Sequence, residues 1–182
     1  MCSSDLYVYF RRRYTDTELN LRSTNRRNDI RLILVVLTIE SVFELSAFHD
    51  IVTLSPRQLL LGVPLSFAVF FIGTVLPTMV LIYAILLPRY LKLTGSAIST
   101  VLLGGLTYAA MHLVEGWSAF DSPRHAALSL LFVLFQYVGS GMMKSVLTLR
   151  TGNAWVHAFG YHAVAPHVIV DTPLIVKIFS IT

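Results

Sequence analysis

The stretch QLLLGVPLSFAVFFIGTVLPTMVLIYAILLP, from Gln58 to Pro88, contains no charged residue and decides the fold of this chain. An α-helix needs about 20 predominantly apolar residues to cross the hydrocarbon core of a bilayer, and this run is longer than that. The sequence therefore predicts a membrane-spanning helix here. Because Pro77 lies within the run and removes a helical hydrogen bond, we predict that the helix bends near Pro77.

The composition of the whole chain is that of a membrane protein. Of its 182 residues, 55% are hydrophobic and only 13% are charged, whereas soluble domains carry about 25% charged residues. We predict an all-α fold, a polytopic transmembrane helical bundle with about five membrane segments. This bundle would occupy residues 31–172, between an N-terminal lead (1–30) and a short C-terminal tail (173–182). The five apolar runs lie at 31–48, 58–91, 96–114, 125–148 and 153–171.

The positive charge is concentrated at the start of the chain. The net charge is +4, and the arginines that precede the apolar runs are Arg11, Arg12, Arg13, Arg22, Arg26, Arg27 and Arg31. Such a cluster is typical of the cytoplasmic flank of a membrane helix rather than of a nucleic-acid-binding surface. We therefore predict an N-terminus inside the cell, the lipid bilayer as a partner and no nucleic-acid partner. Arg89 with Lys92, and Lys144 with Arg150, would then lie on the same inner side.

The first residues and the cysteine content add two expectations. The opening MCSSDL matches the translated end of a common sequencing adapter, so we interpret it as an artefact and expect a different natural N-terminus. The single cysteine, Cys2, excludes an intrachain disulfide and a multi-cysteine zinc site. The arginine-rich lead is too long for a cleavable signal peptide.

Small residues predict where helices pack closely. Gly104 with Gly105, and Gly139 with Gly141, would let neighbouring membrane helices approach one another. Gly152 follows the run 125–148 and permits a tight backbone, so we predict the inner turn before the last helix at this residue.

Three motifs follow one another between Pro77 and Pro166. They are TMVLIYAILLPRYL (78–91), YAAMHL with Tyr108 and His112, and GMMKSVLTLRTGNAWVHAFGYHAVAP (141–166). In order and spacing they resemble the E-E-x-x-x-R-G…P-x-x-L, F-x-x-x-H and G-(x)8-R-T-G-x-x-W…H-x-x-x-N motifs of the CPBP family, the CAAX proteases, bacteriocin-processing and abortive-infection proteins. The resemblance implies a bacterial cytoplasmic-membrane protein and CAAX-type intramembrane metalloendopeptidase chemistry. It also implies that His112 and His162 hold a divalent metal such as zinc, or stabilise an oxyanion.

The chain departs from this family at the residues that would carry the chemistry. Thr78 and Met79 replace the paired glutamates, Tyr83 the arginine, Ala84 the glycine and Pro166 the final asparagine. Water attacks an amide only when a base removes its proton, and neither Thr78 nor Met79 can act as that base. Pro166 has no hydrogen to donate to an oxyanion. We therefore expect an impaired or non-hydrolytic homologue, a pseudoenzyme, in which Tyr83 is a packing aromatic.

Two carboxylates in the first apolar run could replace the missing base or metal ligand. At a rise of about 1.5 Å per residue, Glu40 and Glu44 lie about 14 and 20 Å above Arg31, in the same layer as His112 and His162. Carboxylates at that depth usually face a polar partner or cavity. One hypothesis is that Glu40 or Glu44 faces both histidines. The alternative is that this first segment is interfacial and that its glutamates lie in water.

The histidines His157, His162 and His167 are evenly spaced but do not form a metal site by themselves. Neighbouring members are five residues apart, which on a helix is about 140° of net rotation, so they point to different faces. Zinc ligands must converge at about 2 Å from the metal. Only His162 gains a role from the family resemblance, together with His112.

Three functions therefore remain open at the level of the sequence. The first is a non-hydrolytic CPBP-like membrane protein that binds a hydrophobic peptide or a lipidated tail. The second is an active intramembrane metalloprotease that uses Glu40 or Glu44 with His112 and His162. The third is a membrane carrier or assembly subunit unrelated to proteolysis, which the apparent lack of paired opposite charges within the membrane does not favour.

Overall fold

The computed structural model describes residues 14–43, 48–114, 119–159 and 169–182, and the regular structure in these ranges is helical. Apart from one isolated bridge between Leu21 and Asn153, these ranges contain no β-structure. The prediction of an all-α fold is therefore confirmed. The helices are α1 (Arg26–Phe43), α2 (Phe48–Ile51), α3 (Pro56–Thr94), α4 (Ala97–Met111), α5 (Pro123–Thr151), α6 (Trp155–His157) and α7 (Thr172–Ile178).

The uncharged run forms most of α3, one continuous helix of 39 residues. Ser55 caps its N-terminus in a capping box with Gln58, and Gly95 ends it in the left-handed conformation, with φ of 63°. The winding changes on both sides of Pro77, because Phe71–Val75 and Met79–Leu86 are π-helical. A π winding moves the hydrogen bond to a more distant residue, so the irregularity that we expected as a bend at Pro77 takes the form of two π-helical stretches.

Two of the predicted membrane segments form helices that are long and apolar enough to cross a bilayer. These helices are α3 and α5, with 39 and 29 residues. At about 1.5 Å per residue both exceed the bilayer core of about 30 Å, whereas α4, with 15 residues, is about 22 Å long. The helix α1 carries five charged residues, Arg26, Arg27, Asp29, Arg31 and Glu40. The run 153–171 lies largely outside the described residues, so the five-segment bundle stays a prediction.

The tightest helix packing joins α4 to α5 through glycines. A Cβ atom added to Gly105 would lie 2.7 Å from the carbonyl oxygen of Val138, and one added to Gly141 would lie 2.6 Å from Cβ of Tyr108. Gly104 approaches Ser145 equally closely. The prediction of close packing is confirmed at these three glycines. At Gly139 an added Cβ atom would meet no atom of the described residues within 4 Å, so close packing is not seen there.

The predicted turn at Gly152 is confirmed, and the N-terminal segment packs against it. Gly152 ends α5 with φ of 63°, in the left-handed conformation that favours glycine. The backbone N–H of Ala154 donates to the carbonyl oxygen of Asn20 at 2.7 Å, and Nε1 of Trp155 donates to that of Leu21 at 3.1 Å. The side chain of Asn153 donates to Asp29 at 2.8 Å. The start of α1 is thereby fixed to the end of α5.

Replacing Gly105 by alanine should separate α4 from α5. The added methyl group would meet the backbone of Val138, which cannot rotate away, so we expect the free energy of unfolding to fall by about 1–3 kcal/mol. The matched control is Gly139→Ala, which has open space and gains up to about 1 kcal/mol of helix propensity. Unfolding in detergent measures both variants, and equal destabilisation of the two would contradict this packing.

Replacing Asn153 by alanine should detach the start of α1 from the turn at Gly152. The side chain of Asn153 donates to the buried carboxylate of Asp29 and accepts from the backbone N–H of Trp155 at 3.0 Å. We expect a loss of about 2 kcal/mol in unfolding free energy, since hydrogen bonds to charged groups contribute about 1.5–3 kcal/mol. The control is the exposed Asn28→Ala, and a loss as large in the control would contradict the assignment.

Candidate functional site

The most unusual residue of the described chain is Lys144, whose side chain is buried although it belongs to α5, a helix long enough to span a membrane. Only 2% of Lys144 is exposed, and it lies about 10 Å along α5 from Thr151. We expected Lys144 and Arg150 on the same inner side, and the structure shows that Lys144 is buried in the protein whereas Arg150 is exposed. Its position inside the apolar run 125–148 was the signal available in the sequence, because a buried charge in a membrane segment must be paired.

Tyr108 on α4 is the principal described partner of Lys144. Nζ of Lys144 donates to the hydroxyl oxygen of Tyr108 at 2.6 Å and lies 4.0 Å from the centroid of the same ring. The first contact is a charge-assisted hydrogen bond, and the second is within cation–π distance. One tyrosine thus supplies both an oxygen and a π face to the ammonium group.

His112 lies one turn beyond Tyr108, at the C-terminal end of α4. Its Nδ1 is 2.7 Å from the carbonyl oxygen of Tyr108, and its ring stacks on Tyr137 with the centroids 3.9 Å apart. A carbonyl oxygen can only accept, so Nδ1 carries the hydrogen in this bond and the lone pair of the neutral ring is on Nε2. His112 therefore presents Nε2 as the atom that could bind a metal or accept a hydrogen bond.

Glu40 on α1 brings a negative charge to this group of residues. Its carboxylate exerts an attractive electrostatic interaction on the ammonium of Lys144, and its side chain is half-buried. We call Lys144, Tyr108, His112 and Tyr137, together with Glu40, the Lys144 cluster. It contains residues from α1, α4 and α5.

The residues that correspond to the glutamates of the CPBP motif also face the interior. Thr78, Met79 and Tyr83 on α3 are buried, and Met79 and Tyr83 belong to the same core cluster as Tyr108. Tyr83 packs against the buried ring of His157, with centroids 4.5 Å apart. The first and second motifs of the family resemblance thus lie in one core, although Tyr83 acts there as a packing aromatic.

The complete set of predicted site residues is only partly described. His112 and Glu40 belong to the Lys144 cluster. The other predicted or corresponding residues, Glu44, His162, Pro166 and His167, lie outside the described residues. Within the described ranges, no group of three or more histidine, cysteine or acidic residues is arranged to hold a metal ion. Of the predicted zinc ligands, only His112 can be assessed, and its Nε2 is chemically suited to that role. The zinc site and the pairing of His112 with His162 stay predictions.

Comparison of the chain with protein-family models, curated proteins and solved structures finds no match. The likeness to the CPBP family therefore depends on the motif residues themselves.

A double-mutant cycle should detect the pairing of Glu40 with Lys144. Each single change, Glu40→Gln or Lys144→Met, leaves the opposite charge in apolar surroundings, so we expect each to lower the unfolding free energy by about 2 kcal/mol. The double variant should lose less than the sum, by at least about 0.5 kcal/mol. Denaturant titration in detergent micelles measures the four proteins. The control cycle combines Glu40→Gln with Lys177→Met, which removes an exposed lysine, and its effects should be additive. Equally additive effects of Glu40→Gln and Lys144→Met would contradict the pairing.

Proposed function

We propose that this chain is a polytopic membrane protein of the CPBP type that binds a hydrophobic peptide or a lipidated tail without cleaving it. The observation that carries the proposal is the buried Lys144, hydrogen-bonded to Tyr108 one turn from His112. In this proposal the N-terminus lies in the cytoplasm and α3 and α5 span the membrane. The remaining apolar segments complete the bundle.

The chain favours binding over hydrolysis because two positions of the first family motif have lost their carboxylates. A hydrolytic base must accept a proton from water. Thr78 and Met79, at the positions of the family glutamates, have no basic group. The positions of the family glutamates therefore supply no base.

The Lys144 cluster is suited to a ligand that supplies hydrogen-bond acceptors. An ammonium, tyrosine hydroxyls and an imidazole lie in an apolar layer, where a peptide carbonyl or a terminal carboxylate would gain more from a hydrogen bond than it would in water. A lipidated peptide combines such acceptors with an apolar tail that the surrounding membrane segments accommodate. In this proposal, ligand binding draws on Lys144 and His112 and requires no bond cleavage.

A combined binding and cleavage assay tests this function. The full chain is purified in detergent and mixed with Zn²⁺ and a fluorescent farnesylated peptide ending in a CAAX sequence. Anisotropy reports binding and mass spectrometry reports cleavage. We expect binding without product, weakened about tenfold or more by Lys144→Met, since a hydrogen bond to a charged group contributes about 1.5–3 kcal/mol. The control Lys177→Met removes an exposed lysine and should bind normally.

The remaining outcomes distinguish the other two functions. Cleavage that is lost in His112→Ala, His162→Ala and Glu44→Ala would establish the active metalloprotease instead. Cleavage that survives all three changes would contradict both the non-hydrolytic proposal and the metalloprotease site at His112, His162 and Glu44. If neither binding nor cleavage is observed, the result would favour a carrier or assembly subunit. The opposite charges of Glu40 and Lys144 agree with that function, because such pairs also occur along ion pathways in membrane proteins.

A further inference from the structure

The exposed side of α1 combines a polar cavity and an apolar groove that share one arginine. The polar cavity, about 240 Å³ in volume, is lined by Asn25, Arg27, Asn28 and Arg31. The apolar groove, about 320 Å³ in volume, is lined by Arg31, Leu34, Val35, Thr38 and Ile39. Arg31 belongs to both, so the two form a single surface along the helix.

The polar cavity carries a net positive charge. Arg27 and Arg31 are exposed, whereas Asp29, the acidic residue of this helical turn, is buried on another face and accepts hydrogen bonds from Ser23 and Asn153. The two lining asparagines add amide groups that can donate hydrogen bonds. This cavity is therefore suited to a phosphate group.

Beyond Arg31 the groove is lined mainly by exposed apolar side chains. Leu34, Val35 and Ile39 are 58%, 49% and 49% exposed. The hydroxyl of Thr38 donates to the carbonyl oxygen of Leu34 at 2.8 Å within the helix, which leaves its methyl group as the apolar part of the side chain. From Arg31 to Ile39 the groove extends about 12 Å, comparable with the depth of one bilayer leaflet, which is about 15 Å.

We propose that this surface of α1 binds one anionic phospholipid, with its phosphate between Arg27 and Arg31 and an acyl chain along Leu34, Val35 and Ile39. The order of the features along the helix is the order of the groups in such a lipid, a charged head followed by hydrocarbon. Juxtamembrane arginines attract anionic lipids, and here the shared Arg31 joins the attraction to a groove of matching polarity. This site is separate from the Lys144 cluster.

Native mass spectrometry of the detergent-solubilised chain tests the site with defined lipids. We expect a retained adduct with phosphatidylglycerol and much weaker binding of phosphatidylcholine. The variant Arg27→Gln/Arg31→Gln should bind phosphatidylglycerol about 25-fold more weakly, at about fivefold for each arginine. The control Arg57→Gln/Arg124→Gln removes the same charge from exposed arginines outside the cavity. Equal losses in the two variants, or equal binding of the two lipids by the unchanged chain, would overturn the proposal.

A second pair of variants tests the groove and serves also if the arginine variant fails to fold. Leu34→Trp fills the groove and should weaken phosphatidylglycerol binding, whereas Leu128→Trp on α5, which has a similarly exposed leucine, should not. Inorganic phosphate at a millimolar concentration should not displace the lipid. Displacement by phosphate, together with no effect of Leu34→Trp, would show an anion site that has no acyl-chain subsite and would overturn the proposal.

Discussion

The hydrogen bond between Lys144 and Tyr108 constrains the packing of the two helices that carry them. A buried ammonium group is costly unless a partner lies within about 3 Å, so α4 and α5 must approach closely at this level. Gly105 lies one turn before Tyr108, and Gly141 lies one turn before Lys144. The absence of side chains at these glycines permits the approach, since an added Cβ on Gly141 would meet Tyr108 itself. The burial of Lys144 therefore requires the close approach of α4 and α5 that the glycines permit.

The position of Glu40 depends on a second attachment, at the other end of α1. The hydrogen bond from Asn153 to Asp29 fixes the first turn of α1 beside the turn at Gly152. Glu40 lies about 16 Å further along this helix. Because Asp29 and Glu40 belong to one continuous helix, the contact of Asp29 with Asn153 helps to set where the carboxylate of Glu40 lies relative to Lys144. The two polar sites are linked mechanically by the backbone of α1.

Local features of this chain could be predicted from the sequence, whereas contacts between distant residues could not. The helices α3 and α5 follow from apolar runs, and the turn at Gly152 from the conformational freedom of glycine. Among the described residues Gly141 packs closely and Gly139 does not, because only one face of α5 meets α4, and the sequence does not show which face this is. The depth estimate placed Glu40 level with His112, yet it could not identify Lys144 as the charge with which Glu40 interacts. That pairing depends on the rotation of two helices that are far apart in sequence.

The π-helical stretches of α3 have a consequence for how its faces are aligned. One additional residue in a helical turn rotates everything beyond it by about 100°. The residues before Phe71, those between the stretches and those after Leu86 therefore belong to three separate helical wheels. Thr78 and Tyr83 face the core because of this local winding, and a protein with the same residue spacing but regular α-helical winding would present them in another direction. Spacing along α3 thus has meaning only together with its winding.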